Sequence, residues 1–115
     1  MVAFASRYEE PGPARSAIDA EQGPLLLEFG TSWCGHCLAA QPAIQEALAS
    51  HPGVRHLKVG DAPGRRLGRS FAVKLWPTLV FMKDGAVVET LVRPRGAEAI
   101  EAALARIDPR PGAGP

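Results

Sequence analysis

The two cysteines of the chain, Cys34 and Cys37, are the residues whose type and spacing point most directly to chemistry. Side chains three positions apart lie one turn apart on the same helix face, so these sulfurs can bond or share a ligand. The apolar run at 25–29 predicts a strand, and residues 38–50 predict a helix. The pair therefore lies at a strand-to-helix junction, where the helix N-terminus favours an ionised thiol. The spacing predicts a nucleophilic dithiol.

Glu28 interrupts the apolar strand predicted at 25–29 and has two interpretations. In the first, its side chain lies on an exposed face or at the strand end, as most glutamates do. In the second, it is a half-buried acid that relays protons to chemistry at the far end of the strand. The residues alone leave both open.

A metal site is an alternative use of the two cysteines. Imidazole ligands could come from His36, His51 and His56. Structural zinc needs four ligands, however, and only the cysteines have ligand spacing. Haem attachment is disfavoured because Leu38, rather than a histidine, follows Cys37. We therefore expect no metal and no cofactor, and we expect His51 at the surface, at the end of a helix.

The order of predicted elements indicates an α/β fold. Hydrophobic patterns predict helices at 13–20, 34–50, 65–71 and 96–107, and strands at 25–29, 54–59, 79–82 and 86–92. Two strand–helix–strand units imply parallel pairing, and an Asp-Gly turn predicts an antiparallel hairpin at the end. We expect one domain at 13–107, with residues 1–12 as an N-terminal arm or edge strand. Residues 108–115, rich in Pro and Gly, predict a disordered tail.

Length and charge narrow the range of partners. A chain of 115 residues with 46% hydrophobic residues suits one globular domain. The formal net charge of +1 gives no electrostatic reason to expect nucleic acid or an anionic membrane as partner. No apolar run approaches the ~18 residues of a membrane span, and the first residues are too weakly apolar for a signal peptide. We expect a cytoplasmic monomer.

Four sequence features together resemble the thioredoxin family. The first is the segment 33–37, Trp-Cys-Gly-His-Cys, between a strand and a helix, and the second is Pro42 inside that helix. The third is the segment 76–78, Trp-Pro-Thr, which resembles the family's hydrophobic–Pro–Thr segment opposite the dithiol. The fourth is the Asp-Gly turn of the closing hairpin. The resemblance covers residues 14–107 and implies a thioredoxin-like fold, with a mixed central sheet of four to five strands flanked by helices.

The resemblance also implies a substrate groove beside the dithiol. In the family, the proline at the position of Pro77 is cis and exposes the backbone of Trp76 to an extended substrate. The implied substrate contacts are Trp33, Gly35, His36, Trp76, Pro77, Thr78 and Arg93. Arg93 departs from the family, which usually has glycine there, and predicts a narrowed groove or a preference for acidic partners.

The activity that the resemblance implies is thiol–disulfide exchange with protein disulfides. Cys34 would attack the substrate, and the more buried Cys37 would then resolve the mixed disulfide, leaving a Cys34–Cys37 disulfide. Glu28 stands where thioredoxins have a buried Asp and disulfide isomerases a Glu, and would exchange the proton of Cys37 through water. His56 or Lys58 would be its basic neighbour. A thioredoxin-reductase-like enzyme or another thiol donor would supply electrons.

His36 distinguishes the motif from the usual Cys-Gly-Pro-Cys of thioredoxins and makes it similar to that of protein disulfide isomerases. A partly cationic histidine there would stabilise the Cys34 thiolate. The reduction potentials of the two classes differ by ~90 mV, about 4 kcal/mol for two electrons, so we predict a potential above that of an ordinary thioredoxin. The alternative function is a non-catalytic binding or chaperone module of the same fold, which the intact cysteine pair disfavours.

Overall fold

The computed structural model describes residues 4–63 and 65–109. Its elements are β1 (Tyr8–Glu9), α1 (Arg15–Asp19), β2 (Pro24–Gly30), α2 (Gly35–Leu48), β3 (Arg55–Gly60), α3 (Arg66–Ser70), β4 (Thr78–Lys83), β5 (Ala86–Val92) and α4 (Ala97–Ile107). The five strands form one mixed sheet in the order β1-β3-β2-β4-β5. Strands β1 and β2 run parallel to β3, and β4 runs antiparallel to both β2 and β5. The α/β fold and its mixed sheet are therefore confirmed. Of the two expected parallel units, β2–α2–β3 is parallel, but the expectation for β3–α3–β4 is wrong, because β4 pairs with β2 and runs antiparallel to it.

Strand β2 is central because its side chains are apolar on both faces of the sheet. Leu26 packs on one face with residues of α2 and α4, among them Ile44 and Leu104. Leu27 packs on the other face with Ile18 of α1 and with residues of β3, β4 and α3. Burying one such side chain contributes about 1.5–3 kcal/mol, so the two apolar clusters fix the strands and helices relative to one another.

The register between β2 and β3 brings the buried acid Glu28 next to two basic residues. Strands β2 and β3 pair so that Glu28 lies beside Lys58, and Leu26 lies beside His56. Because side chains alternate between faces, Glu28, His56 and Lys58 all lie on the face covered by α2. Strand β2 ends at Gly30 and α2 begins at Gly35, so both cysteines lie at the carboxyl end of the central strand.

Two sequence-based expectations about α2 and its surroundings are wrong. The apolar pattern of 38–50 predicts Leu38 on the inner side of α2 with Ile44, Ala47 and Leu48, but 58% of Leu38 is exposed. It lies about 100° around the helix from the buried Cys37 and therefore off the face that packs on the sheet. His51 was expected at the surface, but it is only 4% exposed. Its Nδ1 and Nε2 atoms lie 2.7 Å from Asp108 Oδ2 and 2.8 Å from Glu101 Oε1.

The two ends of the chain can be compared with the predicted arm and tail where the structure describes them. Asp108, the first residue of the predicted tail, is 5% exposed and forms part of the packed structure through His51. Residues 110–115 of that tail lie outside the described residues, as do residues 1–3 of the expected arm. Within the arm, residues 8–9 form the edge strand β1. In the described residues, the helices are too short or too polar to cross a membrane.

Candidate active site

The two cysteines lie at the start of α2 in a hydrogen-bonded arrangement. Cys34 is the N-cap residue, with extended backbone, and its Sγ accepts a hydrogen bond of 3.3 Å from the backbone N–H of Cys37. Such a cap satisfies one of the free N–H groups at the helix end and favours negative charge on the capping atom. Cys34 is 8% exposed and Cys37 is 1% exposed, so the capping sulfur is the more accessible one.

The pKa values of the two thiols are shifted in opposite directions. Burial raises the pKa of Cys34, but hydrogen bonds from the Cys37 thiol and from the backbone N–H groups of Cys37 and His36 outweigh it, and the net shift is downward. Burial, together with the hydrogen bond that its thiol donates to Cys34, raises the pKa of Cys37 to about 11. One sulfur is therefore prepared as a nucleophile, while the other holds its proton.

The positive charge that acts on Cys34 comes from Arg93. Its guanidinium lowers the pKa of Cys34, after the larger effects of burial and of the hydrogen bonds. From the sequence, this charge was expected on the His36 imidazole. The His36 side chain is exposed, and the residue acts on Cys34 through its backbone N–H.

Glu28 is fully buried, with an exposed fraction of 0%, and a ring of polar partners holds it beneath the cysteines. His56 Nε2 lies 2.8 Å from Glu28 Oε1, and Gln41 Nε2 donates to Glu28 Oε2 at 2.7 Å. Lys58 Nζ donates to Gln41 Oε1 at 2.9 Å. Both basic residues that the sequence offered therefore belong to this network, His56 directly and Lys58 through Gln41.

The N-terminal arm determines which tautomer His56 adopts. The backbone N–H of Ala5 donates to His56 Nδ1 at 2.8 Å, so Nδ1 must carry a lone pair rather than a proton. The ring then carries its proton on Nε2 and donates it to Glu28. His56 is thus a neutral hydrogen-bond donor to Glu28, and the positive charge nearest the acid is on Lys58.

Sequence patterns did not indicate three parts of the site, which are Gln41, Ala5 and Tyr8. Gln41 is four residues after Cys37 on α2, and its Nε2 also donates to the Cys37 carbonyl at 2.8 Å. That helical spacing was a usable signal. Tyr8 Oη lies 3.5 Å from Glu28 Oε2, and it reaches the acid from β1 across the sheet. No local pattern connects it with the acid.

Two tryptophans border the cysteines, as the family resemblance implied. The rings of Trp33 and Trp76 form an edge-to-face pair with centroids 5.7 Å apart, and Trp33 is 70% exposed. Trp76 Nε1 donates to Asp61 Oδ2 at 2.8 Å, which anchors the ring. Burial raises the pKa of Asp61, and this hydrogen bond opposes the shift. The Trp76–Pro77 peptide bond is cis.

A groove of about 640 Å³ runs beside the dithiol. Its lining includes His36, Leu75, Pro77, Val92, Arg93 and Arg95. Leu75 and Val92 are 50% and 51% exposed, so the groove combines accessible apolar surface with two positively charged side chains. Arg93 has a positive φ of 50°, a region that favours glycine, and its Nε donates to the Trp76 carbonyl at 2.6 Å.

Thr78 is buried, whereas Gly35 is exposed to solvent. Thr78 was expected to contact substrate, but it is 3% exposed and its hydroxyl donates to the Leu75 carbonyl at 2.6 Å. That expectation is corrected: Thr78 supports the segment before Pro77 from inside. Gly35 faces open space, with nothing within 4 Å of the position that a Cβ would occupy.

Comparison with known proteins decides the family. The family model described as Thioredoxin matches residues 13–106, which is most of the chain.

The chain belongs to the thioredoxin family.

Among solved structures, this thioredoxin-family chain is similar to thioredoxin 2 from Pseudomonas aeruginosa PAO1 in its reduced form. The two are 54% identical with a TM-score of 0.81, and the match covers 90% of this chain and 96% of that one. Thioredoxin-1 of Caenorhabditis elegans is 34% identical over 67 residues, 58% of each protein. Protein disulfide-isomerase A2 of Pongo abelii is 39% identical over 92 residues, covering 75% of this chain and 18% of the isomerase. The chain thus spans about half of one curated relative and a fifth of the other.

Among residues 4–63 and 65–109, no group of three or more His, Cys, Asp and Glu side chains is placed to hold a metal ion. In the same part of the chain, both cysteines are free thiols.

Proposed function

We propose that the protein is a thiol–disulfide oxidoreductase that exchanges disulfides with protein substrates through the Cys34–Cys37 couple. The observation that carries this proposal is the opposite shift of the two thiol pKa values, downward at Cys34 and upward to about 11 at Cys37. Such a pair combines an attacking thiolate with a thiol held in reserve one turn away. A non-catalytic binding module would need no such difference, and the thioredoxin relatives do not favour it.

The proposed reaction has two exchange steps. The Cys34 thiolate attacks a substrate disulfide, forms a Cys34–substrate bond and releases the other substrate sulfur as a thiolate. Cys37 then loses its proton to Glu28 and attacks Cys34, which forms the Cys34–Cys37 disulfide and releases the second substrate thiolate. Two electrons pass from the dithiol to the substrate. A thioredoxin-reductase-like enzyme or another thiol donor returns them.

The groove beside the cysteines is the proposed substrate site. An extended segment of substrate would lie against Trp33, Gly35, His36 and Pro77 and would pair with the backbone of Trp76. Arg93 already donates to the Trp76 carbonyl, so a substrate that uses this acceptor must displace the guanidinium. An acidic side chain in the substrate would give the displaced Arg93 a new partner, and Arg95 lines the same groove. Substrates with an acidic residue beside the attacked cysteine are therefore favoured.

The cellular setting is a separate part of the proposal. We propose that the protein works as a monomer in the cytoplasm, contributes to thiol balance there, and binds neither nucleic acid nor membrane. The near-neutral net charge of +1 and the reducing chemistry of a free dithiol support this. Fractionation of cells that express the untagged protein tests the location.

Insulin reduction with dithiothreitol as electron source tests the activity. The wild type should turn over, while Cys34→Ser should lose activity and Cys37→Ser should stop at a mixed disulfide with the substrate. The two variants differ only in which sulfur is lost, so each serves as the control for the other. No turnover by the folded wild type, or equal trapping by both variants, would contradict the proposal.

A further inference from the structure

Tyr8 has no role in the two exchange steps described above, although it lies beside Glu28. Strand β1 pairs with β3 so that Tyr8 lies beside Lys58, and β3 pairs with β2 so that Lys58 lies beside Glu28. The three residues thus form one row across three strands. Lys58 Nζ lies over the face of the Tyr8 ring, 4.4 Å from its centre. The ring face attracts the cation, and this attraction helps to hold the ring in place.

The Tyr8 hydroxyl lies between the buried acid and the second cysteine. Its O–H points to Glu28 Oε2 at 3.5 Å, and its oxygen and the Cys37 sulfur both lie beside Gly30. Gly30 provides the space for this arrangement. A Cβ at Gly30 would lie 2.5 Å from Cys37 Sγ and 3.2 Å from Tyr8 Oη, so any side chain there would separate the two groups.

We propose that Tyr8 carries the proton between Cys37 and Glu28 when Cys37 attacks the mixed disulfide. This inference rests on the proposed function, and it replaces the bridging water expected from the sequence with a side chain. A phenol suits the role because its oxygen both accepts and donates a hydrogen bond.

The step balances without any further reactant. The Cys37 thiol gives its proton to Tyr8 Oη while the Tyr8 O–H gives its own proton to the Glu28 carboxylate. Cys37 becomes a thiolate, Tyr8 remains a neutral phenol and Glu28 becomes a carboxylic acid. The thiolate then attacks Cys34 as described above, and the substrate sulfur leaves with the electron pair of the broken S–S bond.

The charges around Tyr8 favour a concerted transfer over ionisation of the phenol. Burial raises the pKa of Tyr8, and the negative charges of Glu28, Cys37 and Cys34 raise it further. Lys58 of β3 faces the ring from the other side, and His56 contacts the far oxygen of Glu28. The phenol therefore keeps a proton throughout, which a relay by simultaneous exchange requires.

Tyr8→Phe tests the proposal in a single-turnover reaction with a disulfide substrate. Formation of the mixed disulfide, which needs only Cys34, should be unchanged, and its resolution at pH 7 should slow by about 10- to 100-fold. The deficit should shrink as the pH rises, because burial raises the pKa of Cys37 and at high pH the thiol ionises to solvent without help. Glu28→Gln should slow the same step, and the double variant should be little slower than the slower single one. Glu9→Gln is the matched control, since it changes the exposed neighbour of Tyr8 on β1 without removing the hydroxyl.

Three outcomes are distinguishable. If neither the wild type nor any variant forms a mixed disulfide with the substrate, the proposed function fails. If Tyr8→Phe forms the mixed disulfide and resolves it at the wild-type rate, the relay is overturned while the function stands.

If Tyr8→Phe does not fold, fluorotyrosine labelling decides, because Tyr8 is the single tyrosine of the chain. In the Cys34→Ser protein, the fluorine signal should shift as Cys37 titrates, and a signal indifferent to Cys37 would overturn the relay.

Discussion

Glu28 and His56 are joined by a hydrogen bond of 2.8 Å, although neither side chain has any exposed surface. A carboxylate in such a place depends on its donors, because an unpaired buried charge is strongly destabilising. His56→Leu should therefore lower the free energy of unfolding by about 2–3 kcal/mol, since a hydrogen bond to a charged group is worth that much. His56→Gln keeps an N–H near the Nε2 position and should lose less. Urea denaturation measures both, and equal losses would mean that the hydrogen bond contributes nothing.

The same pair predicts a spectroscopic result. Because Ala5 donates to Nδ1, nitrogen NMR at pH 7 should show His56 with its proton on Nε2 and a bare Nδ1. Trimming the chain through Ala5 should remove this preference. A proton on Nδ1 in the intact protein would show that the arm does not hold the ring.

The two thiols should titrate far apart. The alkylation rate of Cys34, measured in Cys37→Ser, should rise with an inflection below the value of about 8.5 for free cysteine, because its pKa is lowered. Cys37, measured in Cys34→Ser, should react only at a higher pH than Cys34, because burial still raises its pKa, although loss of the Cys34 sulfur should place the inflection below 11. Cys37→Ala removes the donor that Cys37→Ser keeps, so Cys34 should titrate at higher pH in the alanine variant. A single shared inflection would contradict the assignment of roles.

Position 36 acts on Cys34 through its backbone rather than through its ring. His36→Pro deletes the N–H that donates to Cys34 and should move the Cys34 inflection to higher pH and the reduction potential to a more negative value. Helix α2 tolerates proline in its first turn, so the fold should survive. His36→Ala keeps the N–H and should stay close to wild type. If the alanine variant shifts as far as the proline variant, the imidazole is the stabilising group.

Arg93 combines a favourable charge with an unfavourable backbone conformation. Arg93→Ala and Arg93→Gly both remove the guanidinium, so both should raise the pH at which Cys34 ionises. Only glycine relieves the positive φ of 50°, and Arg93→Gly should be more stable than Arg93→Ala by about 1 kcal/mol. Kinetics with matched acidic and neutral peptide disulfides should show the wild type, but neither variant, preferring the acidic peptide. Equal preference in all three would remove the specificity role.

His51 should be important for stability and unimportant for sulfur chemistry. It lies 14 residues after Cys37, beyond the far end of α2, or about 20 Å away along the helix. His51→Leu breaks its contacts with Asp108 and Glu101 and should cost about 3 kcal/mol, because a buried polar pair loses one partner. Glu101→Gln, at a side chain that is 38% exposed, should cost less than 1 kcal/mol. Neither should change the alkylation of Cys34.

The features predictable from sequence are those encoded within short stretches. The dithiol at a strand–helix junction, the parallel unit β2–α2–β3 and the closing hairpin follow from spacing and hydrophobic pattern, and they are present in the structure. The second expected parallel unit is wrong, because β4 pairs with the far edge of β2 in the antiparallel direction, and hydrophobic pattern does not encode strand direction. Leu38 was misplaced because its apolar character outweighed its position, about 100° around α2 from the buried Cys37. His51 was misplaced because its partner Asp108 lies 57 residues away. Tyr8 reaches Glu28 only after β1 joins the sheet beside β3, so pairing between distant strands creates that contact.

The short edge strand has a practical consequence for how the protein is handled. Ala5 and Tyr8 connect the beginning of the chain to the groups beneath the sulfurs. An affinity tag or fluorescent fusion joined close to Phe4 would pull on both contacts and would alter redox measurements without touching either cysteine. Kinetic constants measured on such preparations would include the effect of the tag. Cleaving the tag before the assay avoids this effect.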